Sequence, residues 1–453
     1  MQRSQVKDFT SGNITKQLAV FAWPLFLSNL LQVVYNMVDM IIVGQSLGSA
    51  GISAVSVGGD VSHFLTFIAM GFSSAGQVLI ARYIGAKQLD KLGRFVGTMF
   101  GFLFACALLL GCAGLMLNTR ILNIMNTPAE AFSGARAYSA ISMGGLVFIY
   151  GYNIISAVLR GMGDSKHPFI FISIAAVLNL LLDIVFVLGL HMGAGGAALA
   201  TVLSQAVSFL ACAAFLIRRR REFHLDIRPA DFIRWDKEML SALVRLGTPM
   251  AIKSASIQVS KLFVNSWINS YGIAVSAFAG IANKVSSVSN LVSNALNTAG
   301  STMVGQNIAA GEYDRVKKIL VRLGAITLSI ALVCSAAIAL FPEAVFGIFT
   351  TDEAVLEIGM RYVPIAVMLF FGAAMRAIMN ALINGSGHTK INFATAILDG
   401  IVLRIGLALL FGLGVGMKHY GFWLGDALAG FTPFWIGLAF YFSGKWKNKM
   451  ERK

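Results

Sequence analysis

Arg160-Gly161-Met162-Gly163-Asp164-Ser165-Lys166 returns as Asn384-Gly385-Ser386-Gly387-His388-Thr389-Lys390, at the same depth of a second hydrophobic half. The offset, 387 − 163 = 224 residues, also carries Tyr138 onto Tyr362 and Asp90-Lys91 onto Asp314-Arg315. Near the starts of the halves, Trp23-Pro24 falls on Thr248-Pro249, one residue out of step. A period of half the chain is far longer than a solenoid unit, so the repeat is a duplicated domain. Long apolar segments in both copies are the pattern of two-lobed membrane transporters.

Working outward, 57% of the 453 residues are hydrophobic and 13% are charged, with a mean hydropathy of +0.74. Soluble domains carry roughly a quarter charged residues, so much of this surface must face lipid. Apolar segments long enough to span hydrocarbon run over Gln17–Val43, Ile52–Ile80, Phe95–Leu117, Ala137–Leu159, Phe169–Leu190 and Gly195–Ile217. The second set is Leu246–Ile268, Ala274–Val304, Ile319–Phe341, Val363–Ile383, Ile391–Val415 and Tyr420–Phe442. The expected fold is an all-α polytopic membrane protein with twelve transmembrane helices in two repeat-related six-helix bundles. Residues 1–217 form the N-lobe, 218–237 a cytoplasmic linker, and 238–453 the C-lobe.

Basic residues alternate between connections. Arg82/Lys87/Lys91/Arg94, Arg160/Lys166, Arg218 to Arg221, Arg315/Lys317/Lys318 and Lys390 lie on one side, with Arg3/Lys7/Lys16 and Lys445/Lys447/Lys449 at the ends. The intervening connections hold Arg120, His191 and Lys418 with the acidic Glu343, Asp352, Glu353 and Glu357. The positive-inside bias places both termini and the linker in the cytoplasm of a multi-pass protein of the plasma (bacterial inner) membrane. The net charge of +15 resides in those loops, and no folded basic module points to nucleic acid. Cys106, Cys112, Cys212 and Cys334 sit within apolar segments without metal-type spacing and read as packing residues. The first apolar stretch is too long for a signal-peptide core, so it is expected to be retained.

Ionisable groups at membrane depth are costly and are therefore functional candidates. The first half has Asp39, Asp60 and Asp183, with His63 nearby; the second has Lys253, Lys261, Lys284, Arg376, Asp399, Arg404 and Asp426. Asn179 and Asp183 are four apart and share a helix face. Two carboxylates, an amide oxygen and a hydroxyl such as Thr201 suit a small hard cation such as Na⁺, while an unfilled carboxylate pair would hold a proton. Simple hydrogen bonding to neighbouring helices is the alternative. Pro24 removes an internal hydrogen bond in the first helix, which makes it a static kink or a hinge.

Two polar stripes complete the reading. Asn283, Ser287, Asn290, Asn294, Asn297 and Ser301 recur at spacings of three and four on the eighth helix. The second helix carries Ser56, Asp60, His63, Thr66, Ser73 and Gln77 at the repeat offset. Such stripes glue helices together or line a cavity; the expected cavity lining is Asp60, His63, Asn283, Lys284, Ser287, Asn290, Asn294 and Lys261. Asp60 and Lys284 occupy equivalent positions of opposite sign, since 284 − 60 = 224. The basic second half would either hold a carboxylate or phosphate of a substrate or satisfy Asp399 and Asp426 in structural pairs. Flexible Met (19) and flat Phe (33) suit a cavity that accepts many shapes.

The order and spacing of several short patterns resemble the multidrug and toxic compound extrusion (MATE) family, in its bacterial form, over essentially the whole chain. They are Pro24 with Asn36-Met37-Val38-Asp39 and Val43-Gly44-Gln45-Ser46-Leu47-Gly48, Tyr83-Ile84-Gly85-Ala86 with Asn307-Ile308-Ala309-Ala310-Gly311, and Arg160-Gly161-Met162-Gly163 with its repeat. The resemblance implies a V-shaped pair of six-helix bundles working by alternating access and driven by H⁺ or Na⁺. It carries an N-lobe cation site onto Asp39, Asn179, Asp183 and Thr201, with Asn153 as a neighbour. Acidic residues that some relatives place on the seventh and tenth helices are replaced here by Gln258/Lys261 and Met375/Arg376, so coupling is expected in the first lobe only.

The expected function is a cation-coupled antiporter that exports amphipathic organic compounds and drugs. The alternative is a flippase of lipid-linked oligosaccharide or cell-wall precursor, whose pyrophosphate would suit the basic second half. An enzyme is not expected, because His63, His167, His191 and His388 are scattered one per segment. The expected partners are small amphipathic molecules and membrane lipid, with the chain acting as a monomer. No cofactor is expected beyond H⁺ or Na⁺ as the coupling ion.

Overall fold

The computed structural model describes residues 5–448; Arg3 and Lys449 of the charge pattern lie outside that range. Twelve long helical segments account for most of the described residues, which contain no strand. The first six are α1 (Ile14–Gly48), α2 (Ala50–Gly85), α3 (Leu89–Ile124), α4 (Ala129–Gly144, bent by 50° into Leu146–Gly161), α5 (Lys166–Gly189) and α6 (Gly193–Arg218). The second six are α7 (Lys237–Asn269), α8 (Ile273–Ala310), α9 (Tyr313–Leu340), α10 (Glu353–Ser386), α11 (Thr389–Gly414) and α12 (Lys418–Ala429, then Thr432–Phe442). Eight are long and apolar enough to cross a membrane singly, and bent α4 makes a ninth. The 33 residues of α7 and 38 of α8 exceed the span requirement, so these two fall short on polarity and not on length. Their polar side chains need an environment other than lipid.

The duplication is written into the backbone. Left-handed φ values recur at Gly48 and Gly272 (63° and 115°), Lys87 and Gly311 (58° and 85°), and Gly163 and Gly387 (85° and 69°), each 224 apart. His191 with Gly416, and Gly193 with Lys418, continue the series at 225. At Gly48, with φ 63° and ψ −157°, this conformation interrupts an otherwise continuous α1–α2 run in a backbone region that is essentially glycine-only. The wide π turn ending α5, Ile184–Gly189, likewise returns at the end of α11 as Leu410–Gly414.

Every helix begins before its apolar run, α10, α7 and α4 by the widest margins. α10 starts at Glu353, ahead of the expected Val363, because Asp352 caps it by accepting from the Ala354 and Val355 N–H groups at 2.9 and 3.4 Å. α4 starts at Ala129 behind Pro128 and not at Ala137. Hydropathy sees only the lipid-length part of a helix, while capping sets where it begins.

The packing forms two compact units. Among the described residues, one comprises 5–7, 27–84 and 88–247; the other comprises 8–26, 85–87 and 248–448. α1 and α7 are therefore divided in the same way. The first turns of α1 pack in the second unit, where Leu18, Phe21 and Leu25 join Met303, Ile308 and Ile383 in its core. From Leu27, three residues after Pro24, α1 belongs to the first unit. α7 changes in the opposite sense at Gly247/Thr248, beside Pro249.

The connection between α6 and α7 is docked on the first unit. Phe232 and Trp235 stack edgewise on Phe100 and Phe102 of α3, and Asp236 pairs with Arg94 at 3.2 Å. The contact requires glycine at Gly101, because a Cβ there would lie 2.0 Å from the Phe232 carbonyl oxygen. A polar, charged linker sequence thus conceals two aromatic anchors.

Candidate ion site and cationic cavity

In the first unit, α1 lies against α5, α6 and α4 through Ile42, Val43, Leu180, Val187, Ala197 and Tyr138. The Asp39 and Asp183 carboxylates stand at this apolar collar near enough to act on each other electrostatically. Asp183 and Asn179 are 1% and 2% exposed, and Asn179 Nδ2 lies 3.5 Å from Thr201 Oγ1. Thr201 Oγ1 itself donates to the Ala197 carbonyl at 3.1 Å. Both Asp183 carboxylate oxygens, Asp39 Oδ1 and Asn179 Oδ1 are buried without a hydrogen-bond donor. All four orphaned atoms are oxygens. Burying such acceptors is costly, and two adjacent carboxylates repel in a low-dielectric setting. A proton shared by the pair, or a small hard cation held by the oxygens, removes both costs.

Asn153 is half-buried and gives its amide N–H to the Ile149 carbonyl on its own helix at 2.8 Å. Tyr35 and Tyr138, absent from the sequence-based site, lie within electrostatic reach of Asp39, and Tyr138 also of Asp183. Tyr35 stands one turn before Asp39 and was legible by spacing. Tyr138 arrives from α4 only through packing. Farther along α2, Asp60 and His63 are exposed and adjacent on one face.

The second unit treats charge differently. Arg404 and Asp399 have side chains 2% and 0% exposed, and Arg404 Nη2 bonds Asp399 Oδ1 at 2.9 Å. Arg404 Nη1 pairs with Asp426 Oδ1. The structural pairing of Asp399 and Asp426 is therefore realised through one guanidinium. Lys253 donates to Asn380 Oδ1 at 2.8 Å, and Arg376 Nη2 to Asn290 Oδ1 at 2.7 Å. Lys261 opens onto two adjoining cavities of about 30 Å³ each, shared with Asp426 and Ser286. Of the α8 stripe, Asn283, Lys284, Ser287 and Asn294 are exposed, while Asn290 is half-buried and turned to Arg376. Among the described residues, no group of three or more His, Cys, Asp or Glu side chains could hold a metal ion.

The profile of the MatE family matches the chain twice, over residues 24–185 and 249–410. The chain belongs to the MatE family. The two matches start 225 residues apart (249 − 24), in register with the internal repeat. This MatE protein is 29% identical over 441 residues to the probable multidrug resistance protein YpnP of Bacillus subtilis, covering 97% of each chain. It is 30% identical over 444 residues to the probable multidrug resistance protein YoeA of the same organism, covering 96% of this chain and 95% of that one. In fold it is similar to a structure described as a MOP superfamily transporter from Pyrococcus furiosus with a binding pocket of reverse polarity. That match has a TM-score of 0.90 at 22% identity and covers 99% of this chain and all of the other. It is also similar in fold to an outward-facing multidrug resistance MATE family transporter, with a TM-score of 0.87 at 22% identity, covering 98% and 100%. This MatE member is thus a multi-pass membrane transporter and not an enzyme.

Proposed function

We propose that this MatE protein is a cation-coupled antiporter that exports amphipathic organic compounds from the cytoplasm, working as a monomer in the plasma membrane with both termini inside. The observation that carries this reading is the cluster of donor-less oxygens on Asp39, Asn179 and Asp183. Thr201 completes an all-oxygen set, and Asn153 is a further amide in the proposal. H⁺ would bridge the carboxylate pair; Na⁺ would take the same oxygens. The names of the Bacillus relatives support multidrug export.

Binding can drive transport only if the ion prefers one access state. Pro24 is the proposed hinge. It leaves the Val20 carbonyl without its helical partner, and α1 changes its packing unit three residues later. Ion binding at Asp39 would bias the portion of α1 beyond that point. The polar stripes of α2 and α8, with Asp60, His63, Asn283, Lys284, Ser287, Asn290, Asn294 and Lys261, are the proposed cavity lining. Six of these eight residues are exposed, as such a lining requires.

Efflux of a cationic dye from loaded proteoliposomes, under an imposed H⁺ or Na⁺ gradient, tests the proposal. Wild type should lose dye under one gradient, and Asp39→Asn should fall to the protein-free level. Gradient-driven efflux that survives in Asp39→Asn would refute coupling at this site. The basic residues of the second unit keep the flippase reading in view, and the reverse-polarity pocket named for the Pyrococcus transporter is consistent with it.

A further inference from the structure

The ion pairs of the second unit leave a remainder. Lys253, Lys261, Arg376 and Arg404 face two carboxylates, Asp399 and Asp426, so 4 − 2 = 2 positive charges have no counterion within the cluster. Both Asp399 and Asp426 are engaged by Arg404. Lys253 and Arg376 bond only neutral amide oxygens, which satisfy one donor each and cancel no charge. Among the described residues Arg376 makes that one hydrogen bond, leaving most of its five N–H groups unused, and Lys261 makes none. The two meet at one cavity, which Asn290 and Arg404 also line. A buried excess of positive charge beside empty space is costly without an anion.

The remaining walls are apolar and aromatic. Trp423 and Tyr362 border the adjoining cavity, and their rings meet edge to face at 5.1 Å, backed by Phe278. Lys261 lines both spaces, each of which encloses about 30 Å³ and is partly open.

We infer that this cavity is a binding site for an amphipathic organic anion. Its carboxylate or phosphate is held by Arg376 and Lys261, and its apolar body extends through the open side of the cavity. Arg376 presents the planar fork that matches either headgroup, and Lys261 adds a point charge. Asp426 shares the wall, and Arg404 covers its charge. The site names a substrate class for the efflux reading and rests on it only for the direction of transport.

The test is equilibrium binding to the full chain in phosphatidylcholine nanodiscs. The probes are a fluorescent anthracene carboxylate and its trimethylammonium analogue of matched size. Wild type should bind the carboxylate more tightly than the ammonium compound. Arg376→Gln and Lys261→Gln should each weaken carboxylate binding about tenfold or more and leave ammonium binding no weaker, while Arg376→Lys retains part of the affinity. If Arg376→Gln does not yield folded protein, Lys261→Gln, at a half-exposed position, still decides the matter. Phenyl phosphate and an anionic phospholipid are then tried as competitors. Displacement by the first assigns the headgroup to free solutes, and by the second to lipid. Displacement by neither, an unchanged carboxylate affinity in both variants, or a preference for ammonium would overturn the site. A failure here leaves Asp39-dependent efflux intact, and a failure of efflux leaves the titration readable.

Discussion

The two units share a backbone plan and handle buried charge in opposite ways. In the first, Asp39 and Asp183 sit together with no cation from the protein, and four oxygens lack donors. In the second, one arginine closes on two carboxylates and two further cations remain over. The first arrangement leaves buried carboxylate oxygens without donors among the described residues, and on this the proposed ion site rests. The second is complete where Arg404 sits and incomplete, with the opposite sign, at Arg376 and Lys261. Duplication supplied the same helices twice; divergence of a few side chains inside them made one copy electron-rich and the other cationic.

The sharpest way to break this comparison is to neutralise one charge in each unit. Asp183→Asn should abolish gradient-driven efflux while leaving thermal stability unchanged or raised, because it relieves carboxylate repulsion. A large loss of stability in that variant would mean that the pair is structural. Arg404→Gln should do the reverse. It leaves Asp399 and Asp426 buried and unpaired, at a cost of about 3–5 kcal/mol. A sharp fall in the apparent unfolding temperature and in the folded yield would show it. Retention of wild-type stability would remove the structural role assigned to Arg404.

Next in size comes a comparison of prolines. Pro24→Ala restores a helical hydrogen bond exactly where α1 changes packing unit, and should slow efflux severalfold without unfolding the protein. Pro249→Ala, at the matching point of α7, shows whether the second crossing shares that role. Equal slowing would make the two units mechanically equivalent despite their different charges; an effect confined to Pro24 would tie the hinge to the ion site. The smallest effect is expected at Gly48→Ala, where a side chain is forced into the left-handed region at about 1–2 kcal/mol. Gly272→Ala should cost a similar amount if the repeat is preserved at that turn, and a thermal shift of the two purified variants compares them directly.

Much of this was legible in the sequence. Spacing put Asn179 one turn from Asp183, and the 224-residue offset anticipated turns whose left-handed residues now coincide. Asp39, Asn179, Asp183 and Thr201 were read from residue type and spacing as a cation site or as plain hydrogen-bonding groups, and the family resemblance favoured the first; the structure places Asp39 near Asp183 and Asn179 beside Thr201. Tyr138 was visible only as a repeat landmark, since nothing in α4 announces that its ring reaches Asp39. Asn153, named as a neighbour, spends its amide on its own helix. The linker's charges hid the aromatic pair that docks it on α3.

The sequence by itself determined that this chain is a duplicated twelve-helix membrane protein and which ionisable residues lie at membrane depth. Helix length, hydropathy and repeat offset are properties of order along the chain, and they survive without knowledge of contacts. Only the tertiary structure decided which charges meet. Asp399 is five residues from Arg404, whereas Asp426 is 22 residues away and Arg376 reaches Asn290 across 86. Whether a buried charge ends as a structural pair, an ion site or an anion trap depends on the sign of the groups within a few ångströms, and packing alone sets that distance.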